Sequence, residues 1–475
     1  MVQITTTPRR AGPLAPGAMF LLSAGCMALD MGSSPDAQLG STAMIEQGLH
    51  VRENASTPTR PLLHALTGVA LDDAPWVRHT IAQGAQTGLY RGADGADLRG
   101  DAGGLHIATA WEEGGIVTVS TLAPGADPRA PWPTVIAASK PFVEDAKFGD
   151  FDGDGRLDVA SSSDGGQRIY LSFAGATGAY TTTTLTSSAG HGRWMQIVPI
   201  DVDGDGLLDL AAGSRVGTPA VVAWFRNPGA MARDGATWTY HQATRAGWIM
   251  SLLALDVDGD GDQDLVASDR SYYLDAAGVR RWDLTGARWI ENVDHGASWL
   301  NHAMETPGTC ATCTPGDEMM LALADLDGDG RLDVIDGQSS TGHANRVAVH
   351  RNPGWFTPPP WPTALVPTVE VNTAMGHYQA VAVGDVDRDG VLDLVISTWE
   401  TSALPTSLLT GVYWLRNLGA GAWQHHDISG PEGSKWDNGV LYDLDGDGDL
   451  DVIETEQIDN LGIVWFENPC AIAAR

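Results

Sequence analysis

The sequence predicts an all-β chain folded as a seven-bladed β-propeller. Three observations carry that expectation. A nine-residue loop of the form DxDxDGxxD occurs six times. Successive copies begin 51, 55, 69, 60 and 58 residues apart, enough for four short strands with their turns. No long stretch shows the helical period of apolar residues.

The loops are DFDGDGRLD (150–158), DVDGDGLLD (201–209), DVDGDGDQD (256–264), DLDGDGRLD (325–333), DVDRDGVLD (385–393) and DLDGDGDLD (443–451). Carboxylates at positions 1, 3, 5 and 9 converge only if the backbone curls tightly, which the glycine at position 6 permits. With the carbonyl of position 7, such a set suits Ca2+, which takes oxygen ligands. The expected ligands are Asp150, Asp152, Asp154, Asp158 and Arg156 in the first loop, and Asp201, Asp203, Asp205, Asp209 and Leu207 in the second. The third supplies Asp256, Asp258, Asp260, Asp264 and Asp262, and the fourth Asp325, Asp327, Asp329, Asp333 and Arg331. The fifth supplies Asp385, Asp387, Asp389, Asp393 and Val391, and the sixth Asp443, Asp445, Asp447, Asp451 and Asp449. An EF-hand would need Glu at position 12, and only Glu454 fits.

Each remaining element follows in order. A short apolar strand precedes each loop, as in QIVPI (196–200), and another follows it, as in DLVIS (393–397). An aromatic strand then ends in a turn: VVAWFRNPG (221–229), VAVHRNPG (347–354), VYWLRNLG (412–419). An outer strand such as AWQHHDI (422–428) completes the blade. A degraded seventh copy lies upstream, where GLHIATAWEEGG (104–115) aligns with GLLDLAAGSRVG (206–217), placing His106 beside the position of Asp209. This blade is expected to hold no ion. The last repeat stops after IVWFENP, and PWVRHTI (75–81) is expected to supply its outer strand, leaving no open edge.

The formal charge of −32 is largely loop chemistry, because 24 aspartates stand at ligand positions. Six bound Ca2+ would leave about −20. With no basic stripe, nucleic acid is not an expected partner. Residues 1–26 read as an export signal, with Arg9 and Arg10 before PLAPGAMFLLSAGC. Either ordinary cleavage follows, or Cys26 becomes the lipidated residue of a lipoprotein on the bacterial surface. Residues 27–74 read as a linker and 75–475 as the propeller. Cys310 and Cys313 form a lone CxxC whose expected state is a local disulfide, and Cys470 has no evident partner.

The loops and their connections resemble the FG-GAP or VCBS repeat proteins, the group of the integrin α-chain head propeller and some fungal lectins. The resemblance covers residues 75–470, with Phe148-Gly149 the one clear FG dipeptide. NPG-type turns replace the GAP element, which makes exported bacterial propellers the nearer kin. Related propellers occur in polysaccharide lyases and a sugar dehydratase, so the fold leaves function open.

The family's strand order implies that the calcium loops share one face. Connections on the opposite face then ring a funnel. It carries the acids Glu112, Glu113, Glu144, Asp145, Asp269, Asp317, Glu318, Glu400, Asp437 and Glu454. It also carries the cations Arg193, Arg215, Arg270 and Lys435, and the rings His377, Tyr378, Trp194, Trp248, Trp399 and Trp436. Aromatic faces stack on sugars, and Arg–carboxylate sets hold hydroxyls or uronates. The expected function is therefore an exported, calcium-binding module for extracellular glycans or adhesion. A second reading is a lyase or dehydratase, with Lys435, His377 or Tyr378 as base or acid and Arg193, Arg215 or Arg270 as clamp. A third is a propeller that binds a protein. Structural ion pairing between blades is the competing role for every one of these residues.

Overall fold

A computed structural model describes residues 75–469, apart from 216–219, 275–277, 282–284, 305–318, 339–345, 355–359, 367–376, 400–410 and 431. The export signal, the linker, Cys310, Cys313, Cys470, Glu400, Asp317 and Glu318 therefore lie outside the described residues.

The chain forms seven four-stranded antiparallel sheets in sequence order. Blade 1 is Ala93–Asp101, Gly104–Trp111, Ile116–Leu122 and Thr134–Ser139. Blade 2 is Val143–Gly149, Asp158–Ser163, Arg168–Ala174 and Tyr180–Leu185. Blade 3 is Arg193–Ile200, Asp209–Arg215, Val221–Arg226 and Thr239–Arg245. Blade 4 is Ile249–Leu255, Asp264–Asp269, Gly286–Asn292 and Trp299–Ala303, with a two-stranded hairpin, Tyr273–Leu274 and Arg280–Arg281, beside it. Blade 5 is Ala322–Ala324, Asp333–Gln338, Arg346–His350 and Thr363–Leu365. Blade 6 is His377–Gly384, Asp393–Trp399, Val412–Asn417 and Trp423–Asp427. Blade 7 is Trp436–Tyr442, Asp451–Glu456 and Gly462–Glu467, and its outer strand is the N-terminal Val77–Gln83.

The burial follows from sheets stacked face to face. Both faces of an inner strand meet a neighbouring blade, so Val221, Val222, Ala223, Trp224 and Phe225 are all buried in succession. Outer strands such as Thr239–Arg245 are mostly exposed and read as polar. The cores lie between blades. One joins Ile169, Leu171 and Phe173 of blade 2 to Trp194, Ile197 and Leu210 of blade 3. Four blades share a cross-strand pair between the third and outer strands: Trp224–His241, Trp289–His302, Trp414–His426 and Trp465–His79, with ring centroids 4.3–4.6 Å apart.

In six blades the innermost strand carries a bulge near its start, for example between Trp194 and Gln196 or Trp436 and Asn438. A bulge leaves residues out of the ladder and re-aims their side chains. In blade 1 a tight turn at Asp101–Gly104 replaces the nine-residue loop. Leu105, not His106, takes the register place of Asp209, because Gly100 faces Leu105 as Ile200 faces Asp209. His106 instead bonds Asp101 and Thr121, at 2.9 Å each.

Candidate metal loops and axial polar site

Each nine-residue loop joins the innermost strand of its blade to the second. Positions 4 and 6 both take positive φ in all six loops. Five loops have glycine at position 4, and the exception is Arg388 at φ 59°. This second left-handed residue completes the curl. Backbone amides line the interior. The position 6 amide donates to the first aspartate in every loop, as Gly206 does to Asp201 at 3.0 Å. The position 7 amide donates to the position 5 carboxylate, as Leu207 does to Asp205 at 2.9 Å.

The ninth residue is a bracket. Asp158, Asp209, Asp264, Asp333, Asp393 and Asp451 are all buried. One oxygen of each accepts the position 2 amide, and the other accepts an amide at the end of the third strand, as Asp209 does from Val202 and Asn227. Burial pushes the carboxyls of Asp158, Asp209, Asp264 and Asp451 up to about 7, against those amide bonds, and Asp393 to about 6. A carboxylate has about four lone-pair sites, so these oxygens can still reach a cation. The oxygens of Asp150, Asp152 and Asp158 lie within 4.8 Å of one another. So do those of Asp201, Asp203 and Asp209, of Asp256, Asp258 and Asp260, of Asp325, Asp327 and Asp329, and of Asp385, Asp387 and Asp393. Several carboxylates this close fit a hard divalent ion.

The turn asparagine escaped the sequence reading, which took it for turn chemistry alone. Asn227 Nδ2 donates to Leu208 O of its own loop at 2.9 Å and to Phe151 O of the preceding blade's loop at 2.8 Å. Its Oδ1 accepts the Gly229 amide. Asn292 joins Gln263 to Val202 in the same way, and Asn468 joins Leu450 to Val386. These three asparagines therefore stitch the loops of blades 2 and 3, 3 and 4, and 6 and 7, while Asn352 and Asn417 each hold a carbonyl of their own loop. Their signal was recurrence at one fixed place after the aromatic strand.

On the opposite face, the second strand of one blade meets the start of the next at two equivalent seams. Arg215 bridges Trp248 between blades 3 and 4, and Trp399 bridges Lys435 between blades 6 and 7. Arg215 and Arg270 each lie 4.9 Å from the Trp248 ring, and Lys435 lies 5.9 Å from Trp399. His377 sits 5.8 Å from Trp399. Asp164, which the sequence reading passed over, anchors both Arg193 and Arg215. The two rings are only half-buried.

Toward the axis the polar residues are enclosed. Lys435 pairs with Asp437 at 3.0 Å and with Gln457, which in turn donates to Glu112 at 3.3 Å. Burial works against the Lys435 charge, but Asp437, Asp94 and Glu112 outweigh it and raise its affinity for the proton. Burial pushes Glu144 well above the usual carboxylate range, and Glu112, Asp164 and Asp94 push it further. Carboxylates from blades 7, 1 and 2 thus converge in one buried cluster. Asp145 pairs with Lys147 at 2.8 Å and takes the Ile197 amide of the next blade, which makes it a seam residue.

Several expected ligand residues are not at a free surface. Trp194, Tyr378 and Trp436 are fully buried between blades, because each stands at the bulge where the ring turns into the apolar seam. The Tyr378 hydroxyl donates to Met320 O at 2.9 Å. Asp269 spends its oxygens on the amides of Gly247, Trp248 and Ser271 and on Arg288. Glu454 is buried between blades 6 and 7, accepting from Ser397 at 2.6 Å.

The sequence matches the FG-GAP-like repeat family over residues 150–212, 201–267 and 325–396. No match was found among curated proteins. Among solved structures, an Agrocybe aegerita lectin described as recognising non-reducing terminal N-acetylglucosamine is 16% identical, covering 81% of this chain and 87% of its own, with a TM-score of 0.45. Saccharomyces cerevisiae Sqt1 is 11% identical, covering 83% and 98%, with a TM-score of 0.46. The WD40 domain of Toxoplasma gondii coronin is 14% identical, covering 83% and 87%, with a TM-score of 0.43.

Proposed function

This chain is an FG-GAP-like repeat β-propeller, and we propose that it is a calcium-binding scaffold presenting a carbohydrate-binding mouth on the face opposite its metal loops. One observation carries the reading. Two equivalent seams each set a half-buried tryptophan beside cations, Trp248 with Arg215 and Arg270, and Trp399 with Lys435. Pure scaffolding would repeat one residue type at both seams. Here the order of ring and cation is exchanged. Tryptophan faces stack on sugar rings, and guanidinium groups hold hydroxyls and carboxylates.

Calcium is the ion we assign to the loops, on their hard oxygen donors. We also propose export, on the signal-like residues 1–26 and on loops that fill at extracellular calcium levels. His377 beside Trp399 favours a second reading, a lyase acting on uronates. The enclosure of Tyr378 and the charged state of Lys435 weigh against either as its base.

The test mixes the protein and Ca2+ with acidic and neutral polysaccharides and follows both heat of binding and ultraviolet absorbance. Binding without new absorbance is expected, weakened about tenfold or more by Trp248→Ala in a variant whose folding is checked by circular dichroism. Rising absorbance would establish β-elimination instead. No heat and no absorbance across the panel would remove the glycan reading.

A further inference from the structure

Five of the six loops sit beside a turn asparagine, and the residue before it differs in a way that the shared motif conceals. It is Arg226 in blade 3, Arg351 in blade 5 and Arg416 in blade 6, but Glu291 in blade 4 and Glu467 in blade 7. Each arginine lies on its own loop's aspartates. Arg226 pairs with Asp203 at 2.6 Å and Asp205 at 3.2 Å. Arg351 pairs with Asp333 at 2.6 Å and Asp327 at 3.4 Å, and Arg416 with Asp387 at 2.5 Å and Asp389 at 3.1 Å. Two loops borrow a cation from elsewhere. Arg233 reaches Asp152 and Asp154 of blade 2, and Arg129 bridges Glu467 to Asp445 of blade 7 at 2.6–2.7 Å.

Blade 4 is different. Among the described residues no lysine or arginine pairs with Asp256, Asp258, Asp260 or Asp264. Glu291 stands where the arginine would be, pairs with His302, and with Asp260 and Asp256 adds negative charge around Asp258. His295 is exposed and holds Asp262, whose expected contribution is a backbone carbonyl.

We propose that a guanidinium resting on the loop carboxylates sets a rank among the metal loops, and that the blade 4 loop, which has none among the described residues, is the tightest divalent-cation site of the six. A cation entering the other loops meets a guanidinium already on the carboxylates it needs, and must share or displace it. In blade 4 it meets carboxylates alone. The inference rests on the loops being metal sites, as proposed above. The effect is electrostatic and acts at partly exposed pairs, so it is modest. A weight of roughly 0.5–1.4 kcal/mol per pair corresponds to about two- to tenfold in affinity.

The experiment is calcium titration of the full chain by calorimetry, at low and high salt, with terbium luminescence as a second readout. One tight site and a weaker group are expected, and Asp258→Asn should remove the tight site. Glu291→Arg should merge it with the others. Arg226→Gln and Arg416→Gln should each move one site into the tight class, with folding checked by circular dichroism. High salt should narrow the gap between classes, since screening shortens the reach of the guanidinium charge. Six equivalent sites in the unaltered protein, or a tight site that survives Glu291→Arg, would overturn the ranking. An absence of binding in every variant would instead overturn the metal reading beneath it.

Discussion

At the scale of single residues, the turn asparagine and the ninth aspartate matter most. Asn227 Nδ2 satisfies two carbonyls in two blades, so Asn227→Ala leaves buried acceptors bare. A loss of about 2–4 kcal/mol is expected by urea unfolding in the presence of Ca2+. Loss of less than about half a kilocalorie would mean that water replaces the amide. The ninth aspartates predict a pH dependence. Their carboxyls bind protons more tightly when folded, at about 7 for Asp158 and Asp209, than when unfolded. Without metal, the folded chain therefore holds more protons between about pH 4 and 7, and stability must fall as pH rises through that window. Melting temperatures in excess chelator should climb from pH 7.5 to pH 5. Excess Ca2+, which favours the ionised carboxylates, should flatten or reverse the trend.

At the scale of elements, much could be read from the primary structure. Loops, strand order and the turn after the aromatic strand follow from local chemistry: paired carboxylates need a tight curl, and Asn-Pro-Gly needs a turn. The Trp–His pairs were visible as recurring letters, but their partnership is a matter of register. Trp224 faces His241 only once the third and outer strands are aligned. His241→Ala should cost about 0.5–1.5 kcal/mol by thermal unfolding, the worth of an aromatic pair. The funnel was less legible. A connection's position along the chain gives its face of the ring, but not whether a bulge turns its ring outward. Trp248 is half-buried at a seam, whereas Trp194, also near the start of an innermost strand, is sealed inside one. Asp164 was missed for the same reason, since its two arginines come from another blade.

At the scale of the whole molecule, seven sheets carry charge on two faces with different tasks. One face gathers the aspartate loops, and the other the tryptophan seams. Chelation should lower the melting temperature while leaving the sheets intact below it, because ions held only by the folded form stabilise it by mass action. Deleting residues 75–84 should do something else. It uncovers the third strand of blade 7, whose Glu467 bonds His79 at 2.7 Å. Aggregation through that open edge is expected by light scattering even with Ca2+ in excess. A monodisperse deletion variant would show that the strand is dispensable.

The placement of Val77–Gln83 in the last sheet also sets a clock. His79 and Glu467 are 388 residues apart, so this strand has no partner until 388 further residues have been made. At about 5–20 residues per second, that wait is roughly 20–80 s. Throughout it the segment carries unpaired backbone amides and carbonyls and a bare Ile81. A growing chain of this kind needs either a chaperone at its early end or a slow final step. Refolding in vitro, where every residue is present from the start, should escape that delay.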